Sequence, residues 1–123
     1  MNLNQITLKS QDVNRAVEFY LKLGLRLIVD FSPRYARFEC PKGESTFSIS
    51  HSDVVRNACT ILYFELKDLD EIYQKLKAQG IEFTSEPEDK RWLWREVAFK
   101  DPDGNPLILY SAGINRKNPP WRV

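Results

Sequence analysis

The chain has 123 residues, 42% hydrophobic and 28% charged, with 18 basic against 17 acidic side chains and a formal net charge of +1. That suffices for one domain with its own core, and so even a charge balance argues against nucleic acid or a membrane surface as the main partner. No apolar run approaches the roughly 20 residues of a membrane span, and nothing after Met1 reads as an apolar leader. Cys40 and Cys59 are too few for a disulfide framework, so both read as reduced thiols of a cytoplasmic protein.

Ile6-Thr7-Leu8 alternates like a strand. Asp12 then stands as an N-cap before a helix whose apolar residues are Val13, Ala16, Val17, Tyr20, Leu21 and Leu23, spaced to lie on one face. Gly24 ends the helix as a C′ residue, and Leu25 to Asp30 reads as the next strand. An offset of 56 residues repeats this order: Leu62-Tyr63-Phe64 is a strand, Asp68 a cap, Leu69, Ile72, Tyr73 and Leu76 a helix stripe, Gly80 its stop, and Ile81 to Thr84 a strand. The offset then becomes 61, carrying Phe38 onto Phe99, Pro41 onto Pro102 and Gly43 onto Gly104. Each half therefore reads strand, helix, strand, strand, strand. One module spans residues 4–51 and the other 60–112, joined by the loop Ser52 to Cys59, within a domain of residues 1–112. Repeats this short rarely bury enough surface alone, so the two should share one structure. Residues 113–123 form a tail, and Pro119-Pro120 before Trp121 favours packing on its own domain or on a second subunit.

Phe99 to Tyr110 is a strand, a tight turn at Asp101-Pro102-Asp103-Gly104 and a second strand. This hairpin, with the doubled βαβββ order over residues 4 to 112, resembles the vicinal oxygen chelate superfamily of glyoxalases, bleomycin-resistance proteins and extradiol dioxygenases. The resemblance implies an α+β fold in which two βαβββ modules form a curved mixed sheet around a cavity, and a homodimer. It also implies, for metal-using members, four histidine or glutamate ligands from the first and last strands of each module. Those positions fall here on Gln5, Ile61, Ile108 and either Phe47 or Ser48, none of them a good ligand for Zn, Fe or Mn.

Other chemistry is sparse. His51 is the only histidine, Asp101 and Asp103 belong to the turn, and the chain has no Gly-rich phosphate loop, nucleophile elbow or Cys–His signature. No cofactor or metal is therefore expected. Alternation over Trp92 to Phe99 assigns Val97 and Phe99 to the helix-covered core and Trp92, Trp94, Glu96 and Ala98 to the cavity face. The offset places Tyr35 and Arg37 on the equivalent face, and Ile61, Tyr63 and Glu65 oppose the core residues Leu62, Phe64 and Leu66. An inward glutamate needs a partner or a ligand. Either a Glu–Arg pair closes a filled barrel, or a slipped register puts these groups in solvent, or Gln5, Tyr35, Arg37, Tyr63, Glu65, Trp92, Trp94 and Glu96 line a pocket for a small organic molecule. The first functional reading is metal-independent binding of such a molecule in an aromatic cleft. The alternatives are a metal-dependent lyase or dioxygenase with ligands relocated to His51, Glu65 or Glu96, and an interaction module acting through the tail.

Overall fold

A computed structural model describes residues 1–56 and 60–123; the predicted thiol of Cys59 and the end of the joining loop lie outside the described residues. The elements run β1 (Gln5–Ser10), α1 (Val13–Lys22), β2 (Arg26–Phe31), β3 (Tyr35–Glu39) and β4 (Thr46–His51), then β5 (Leu62–Glu65), α2 (Leu69–Ala78), β6 (Glu88–Asp89), β7 (Arg95–Lys100) and β8 (Pro106–Ser111). They make two four-stranded sheets, ordered β1-β4-β3-β2 and β5-β8-β7-β6, and in each the first strand runs parallel to the last while the other pairs are antiparallel. This is the α+β arrangement of two βαβββ modules.

The chain divides into two compact units. The first holds residues 1–58 and the turn Asp101–Asn105, the second residues 59–100 and 106–123. The closing turn, contiguous in sequence with β7 and β8, thus belongs to the first unit.

In the first unit, Val13, Ala16 and Tyr20 of α1 are buried, as the stripe predicts, whereas Leu21 is exposed. Asp12 caps the helix by accepting from the Arg15 amide. The far end closes with a Schellman motif: Leu25 N–H reaches the Tyr20 carbonyl and Gly24 N–H that of Leu21, with Gly24 at φ +99°. Tyr20 packs edge-on against Phe47 at 4.6 Å, and Phe38 stacks on Phe47 at 5.7 Å. Ala36, Phe38 and Ile49 complete this helix-facing core. Phe47 is therefore a core residue, and its neighbour Ser48 lies on the opposite face.

The second unit repeats the design with differences. Leu69, Tyr73 and Leu76 are buried, and Ile81 N–H and Gly80 N–H close the same motif onto Leu76 and Lys77. Asp68 occupies the N-cap position but makes no side-chain capping bond; the acidic residues of the first turn are Asp70 and Glu71. The strand expected over Ile81 to Thr84 does not form beyond an isolated bridge between Phe83 and Phe99. Side chains replace the ladder there: Thr84 donates through both its amide and its hydroxyl to the Ala98 carbonyl, and Ser85 Oγ accepts from Ala98 N–H. Pro87 follows with no amide to donate, and only Glu88–Asp89 pairs as a strand. The strand expected from Trp92 begins only at Arg95, because residues 90–94 form a turn with Leu93 at φ +66°.

The tail starts as a 3-10 turn over Gly113–Arg116, with Arg116 bonded to Glu65 at 3.0 Å. Trp121 is 57% exposed.

The turn is held by a buried polar centre. Asp101 Oδ2 accepts from the Tyr20 hydroxyl at 2.7 Å and from Asn105 Nδ2 at 2.8 Å, and Oδ1 accepts from the amides of Asp103 and Asn105, each at 2.9 Å. Asp103 Oδ1 accepts from the Gln11 amide, and Asn105 Nδ2 also reaches the Lys9 carbonyl. Burial first, then the charge and hydrogen bond of Asp101, push the Tyr20 phenol far above the usual tyrosine range.

Replacing Tyr20 with Phe should destabilise the protein by about 1.5–3 kcal/mol in urea unfolding, since a charged acceptor loses a donor. Below about pH 10 the neutral phenol contributes its full stability. Above that, the unfolded chain releases the proton while the folded chain retains it, so wild-type stability should fall with rising pH, and Tyr20→Phe should lack that component.

Candidate functional site

Each sheet has one face under its helix and one face without. In the second unit, Val97, Phe99, Leu107 and Leu109 are buried on the helix face. Arg95 shares that side, its guanidinium bidentate to Asp70 at 2.8 and 2.9 Å. Those hydrogen bonds hold the exposed Asp70 carboxyl below the usual range.

Trp94, Glu96 and Ala98 occupy the opposite face, as the alternation predicts. Register places Tyr110 between Glu65 and Glu96, and Ile108 between Tyr63 and Ala98. Trp94 stacks on Tyr110 at 4.6 Å, and Tyr63 stands edge-on to both rings, at 6.1 Å from Trp94 and 5.8 Å from Tyr110. Glu96 is 7% exposed, and its Oε1 accepts from the Trp92 indole at 2.7 Å. Trp92 therefore reaches this face from the turn before β7 rather than from the strand. Burial, then the Glu65 carboxylate, raise the Tyr110 phenol above its ordinary range against the opposing charge of Arg116.

Sequence reasoning missed Tyr110 and Arg116. Tyr110 was within reach, because it lies two residues beyond Ile108, already assigned to this face. Arg116 was not, because its pairing depends on the turn that follows β8. Glu65 pairs with Arg116, not with Arg37, the arginine that alternation placed among the cavity residues.

Across β1, β4 and β3 the open face of the first sheet is polar. Gln5 Nε2 donates to Ser48 Oγ at 2.7 Å, Ser48 Oγ and the Tyr35 hydroxyl share a bond of 2.7 Å, and Arg37 Nε donates to Tyr35 Oη at 2.8 Å. The Thr46 hydroxyl donates to Gln5 Oε1. Burial works against it, yet the bonds to Ser48 and Arg37 and the guanidinium charge hold the Tyr35 phenol below its usual range. Gln5, Tyr35 and Arg37 are thus gathered in the first unit, and Tyr63, Glu65, Trp92, Trp94 and Glu96 in the second.

The metal-ligand positions can be tested directly. The Gln5 amide is engaged at both ends, by Ser48 and Thr46. Ile61 precedes β5 and is 49% exposed, and Ile108 lies within β8. Neither supplies a donor atom from its side chain, so this set does not fit Zn, Fe or Mn. Of the relocated candidates, His51 Nε2 lies 3.1 Å from Asp53, Glu65 pairs with Arg116, and Glu96 with Trp92. Among the described residues no three His, Cys, Asp or Glu side chains gather to hold a metal ion.

Comparison with known proteins agrees with this architecture. Residues 2–109 match the model of the Glyoxalase/Bleomycin resistance protein/Dioxygenase superfamily. The chain belongs to that superfamily. Two Bacillus subtilis (strain 168) proteins are similar to it: the uncharacterized protein YetH, 30% identical over 80% of this chain and 88% of its own, and the uncharacterized protein YraH, 28% identical over 89% and 98%. Among solved structures, a glyoxalase/bleomycin resistance protein/dioxygenase from Nocardioides superposes with a TM-score of 0.79 at 25% identity, covering 100% of this chain and 89% of that one.

The purified protein should carry Zn, Fe, Mn and Ni only at sub-stoichiometric levels by elemental mass spectrometry. One metal per chain, surviving dialysis and removed only by chelator, would contradict the assignment of these positions.

Proposed function

We propose that the protein binds a small, planar organic molecule on the aromatic face of its second unit, without a metal ion. The observation that carries this reading is the placement of Glu96: a carboxylate at 7% exposure, oriented by the Trp92 indole and flanking Tyr110 of the Trp94–Tyr110 stack. Such a carboxylate is expensive to bury on a face meant only to pack, whereas it suits a ligand N–H or cationic group whose ring lies against the aromatics. Superfamily membership supports binding of small molecules as a class and leaves open which one.

The test is a screen of planar aromatic compounds by tryptophan fluorescence, with native mass spectrometry for anything co-purified. Ring stacking contributes about 0.5–2 kcal/mol and a charged hydrogen bond about 1.5–3 kcal/mol. The double variant Trp94→Ala, Glu96→Gln should therefore bind about one to three orders of magnitude more weakly while keeping its circular dichroism spectrum. Compounds that bind the double variant as tightly as wild type would defeat the reading.

We further propose a homodimer in which the tail contributes to the contact. Trp121 and Ile114 are 57% and 73% exposed, and Pro119-Pro120 limits the order lost on docking. Light scattering should return twice the 14.4 kDa chain mass, and Trp121→Ser should shift the equilibrium toward monomer.

A further inference from the structure

We infer that Arg37 is a receptor for a carboxylate attached to an apolar body, on the open face of the first sheet. This goes beyond the aromatic face of the second unit and does not depend on it. The guanidinium is fixed from behind: Nε donates to Tyr35 Oη at 2.8 Å, Tyr35 is bound to Ser48 at 2.7 Å, and Ser48 to Gln5 at 2.7 Å. Ser48 is fully buried, so the relay that orients Arg37 is anchored in the body of the unit rather than floating on its surface. The guanidinium carbon also lies 5.6 Å from the Tyr35 ring centroid.

With Nε committed, the two terminal nitrogens remain. No carboxylate among the described residues lies within ion-pair reach of them, and the arginine is exposed. A pre-oriented planar fork of this kind matches the two oxygens of a carboxylate, at less entropic cost than a mobile side chain.

Charge on this face points the same way. Across β1, β4 and β3 it carries Gln5, Thr7, Lys9, Thr46, Ser48, Ser50, Tyr35, Arg37 and Glu39. Its one acid, Glu39, faces Arg26 at 3.6 Å. Lys9 has only Ser50 Oγ at 3.4 Å, so two cations stand without an anion.

The neighbours define the rest of the ligand. Val29 lies directly across from Arg37 and Phe31 across from Tyr35, and they are 38% and 65% exposed. Cross-strand neighbours sit about 5 Å apart, so an aryl or branched alkyl group on the bound carboxylate would cover this apolar strip. A phosphate would pair with Arg37 but leave Val29 and Phe31 in water.

The experiment is an NMR titration of the full chain with benzoate, read on the Arg37 Nε–Hε resonance and the amides of Val29 and Phe31. Acetate, benzamide and inorganic phosphate serve as comparison probes. Benzoate should shift all three resonances saturably, acetate should bind about tenfold more weakly, and benzamide should leave the Arg37 resonance unmoved. Arg37→Lys keeps the charge but loses the fork and should weaken benzoate by about tenfold or more, while Tyr35→Phe releases the guanidinium and should weaken it several-fold. Phe31→Ser should weaken benzoate and leave acetate unchanged. Equal affinity for benzoate and benzamide, an indifferent Arg37→Lys variant, or phosphate binding more tightly than benzoate would each overturn the inference. A benzoate affinity that falls in Trp94→Ala, Glu96→Gln while Arg37→Lys binds normally would assign the probe to the other face and overturn it as well.

Discussion

The buried Asp101 carboxylate has four acceptor positions occupied, by a phenol, a side-chain amide and two backbone amides. Such saturation is what makes a charge tolerable away from water. It also does three structural jobs at once. It shapes the turn around Gly104, gives the Tyr20 hydroxyl a partner inside an otherwise apolar core, and, with Asp103 and Asn105, seats the turn on the junction between β1 and α1. A segment that is near the end of the chain in sequence thereby becomes part of the first unit. The aromatic packing of Tyr20 against Phe47 and Phe38 depends on the ring being held at that depth.

The two sheets share one plan and diverge only on the faces their helices leave uncovered. Under the helices both are apolar, because the stripes of α1 and α2 require it. On the other side the first sheet carries a chain of hydroxyl, amide and guanidinium groups, and the second a packed set of aromatic rings with two glutamates. A duplicated βαβββ unit gives both faces the same geometry. The side chains at matching register positions are free to differ, because no helix constrains them. The metal-ligand positions of the superfamily lie on these same faces, and here they are occupied by Gln5 and Ile108.

The repeat was readable because it is written in residues with strong local preferences: Asp12, Gly24 and Gly80 act within a turn of helix, and period-two alternation separates Val97 and Phe99 from Trp94 and Glu96. What escaped the sequence lay where local preference and tertiary bonding compete. Thr84 has good strand propensity, yet its hydroxyl and that of Ser85 take up the backbone bonds of Ala98, so a strand position becomes a loop. Trp92 was assigned to the right face for the wrong reason, since a turn with positive φ at Leu93 intervenes. The bond from Tyr20 to Asp101 links residues far apart in sequence and has no periodic signature. Partner choice for Glu65 depended on Arg116, beyond the last strand.

The unequal outer strands of the two sheets bear on how copies of the chain meet when crowded. In the second sheet the β6 edge is two acidic residues long and follows Pro87, which has no amide, so it offers little extended backbone for another chain to copy. In the first sheet the β2 edge is six residues long and exposes Ile28, Val29 and Phe31. Of the β2 and β6 edges, only β2 offers extended backbone for strand pairing with another copy, and an occupant covering Val29 and Phe31 would act as a solubiliser as well as a ligand.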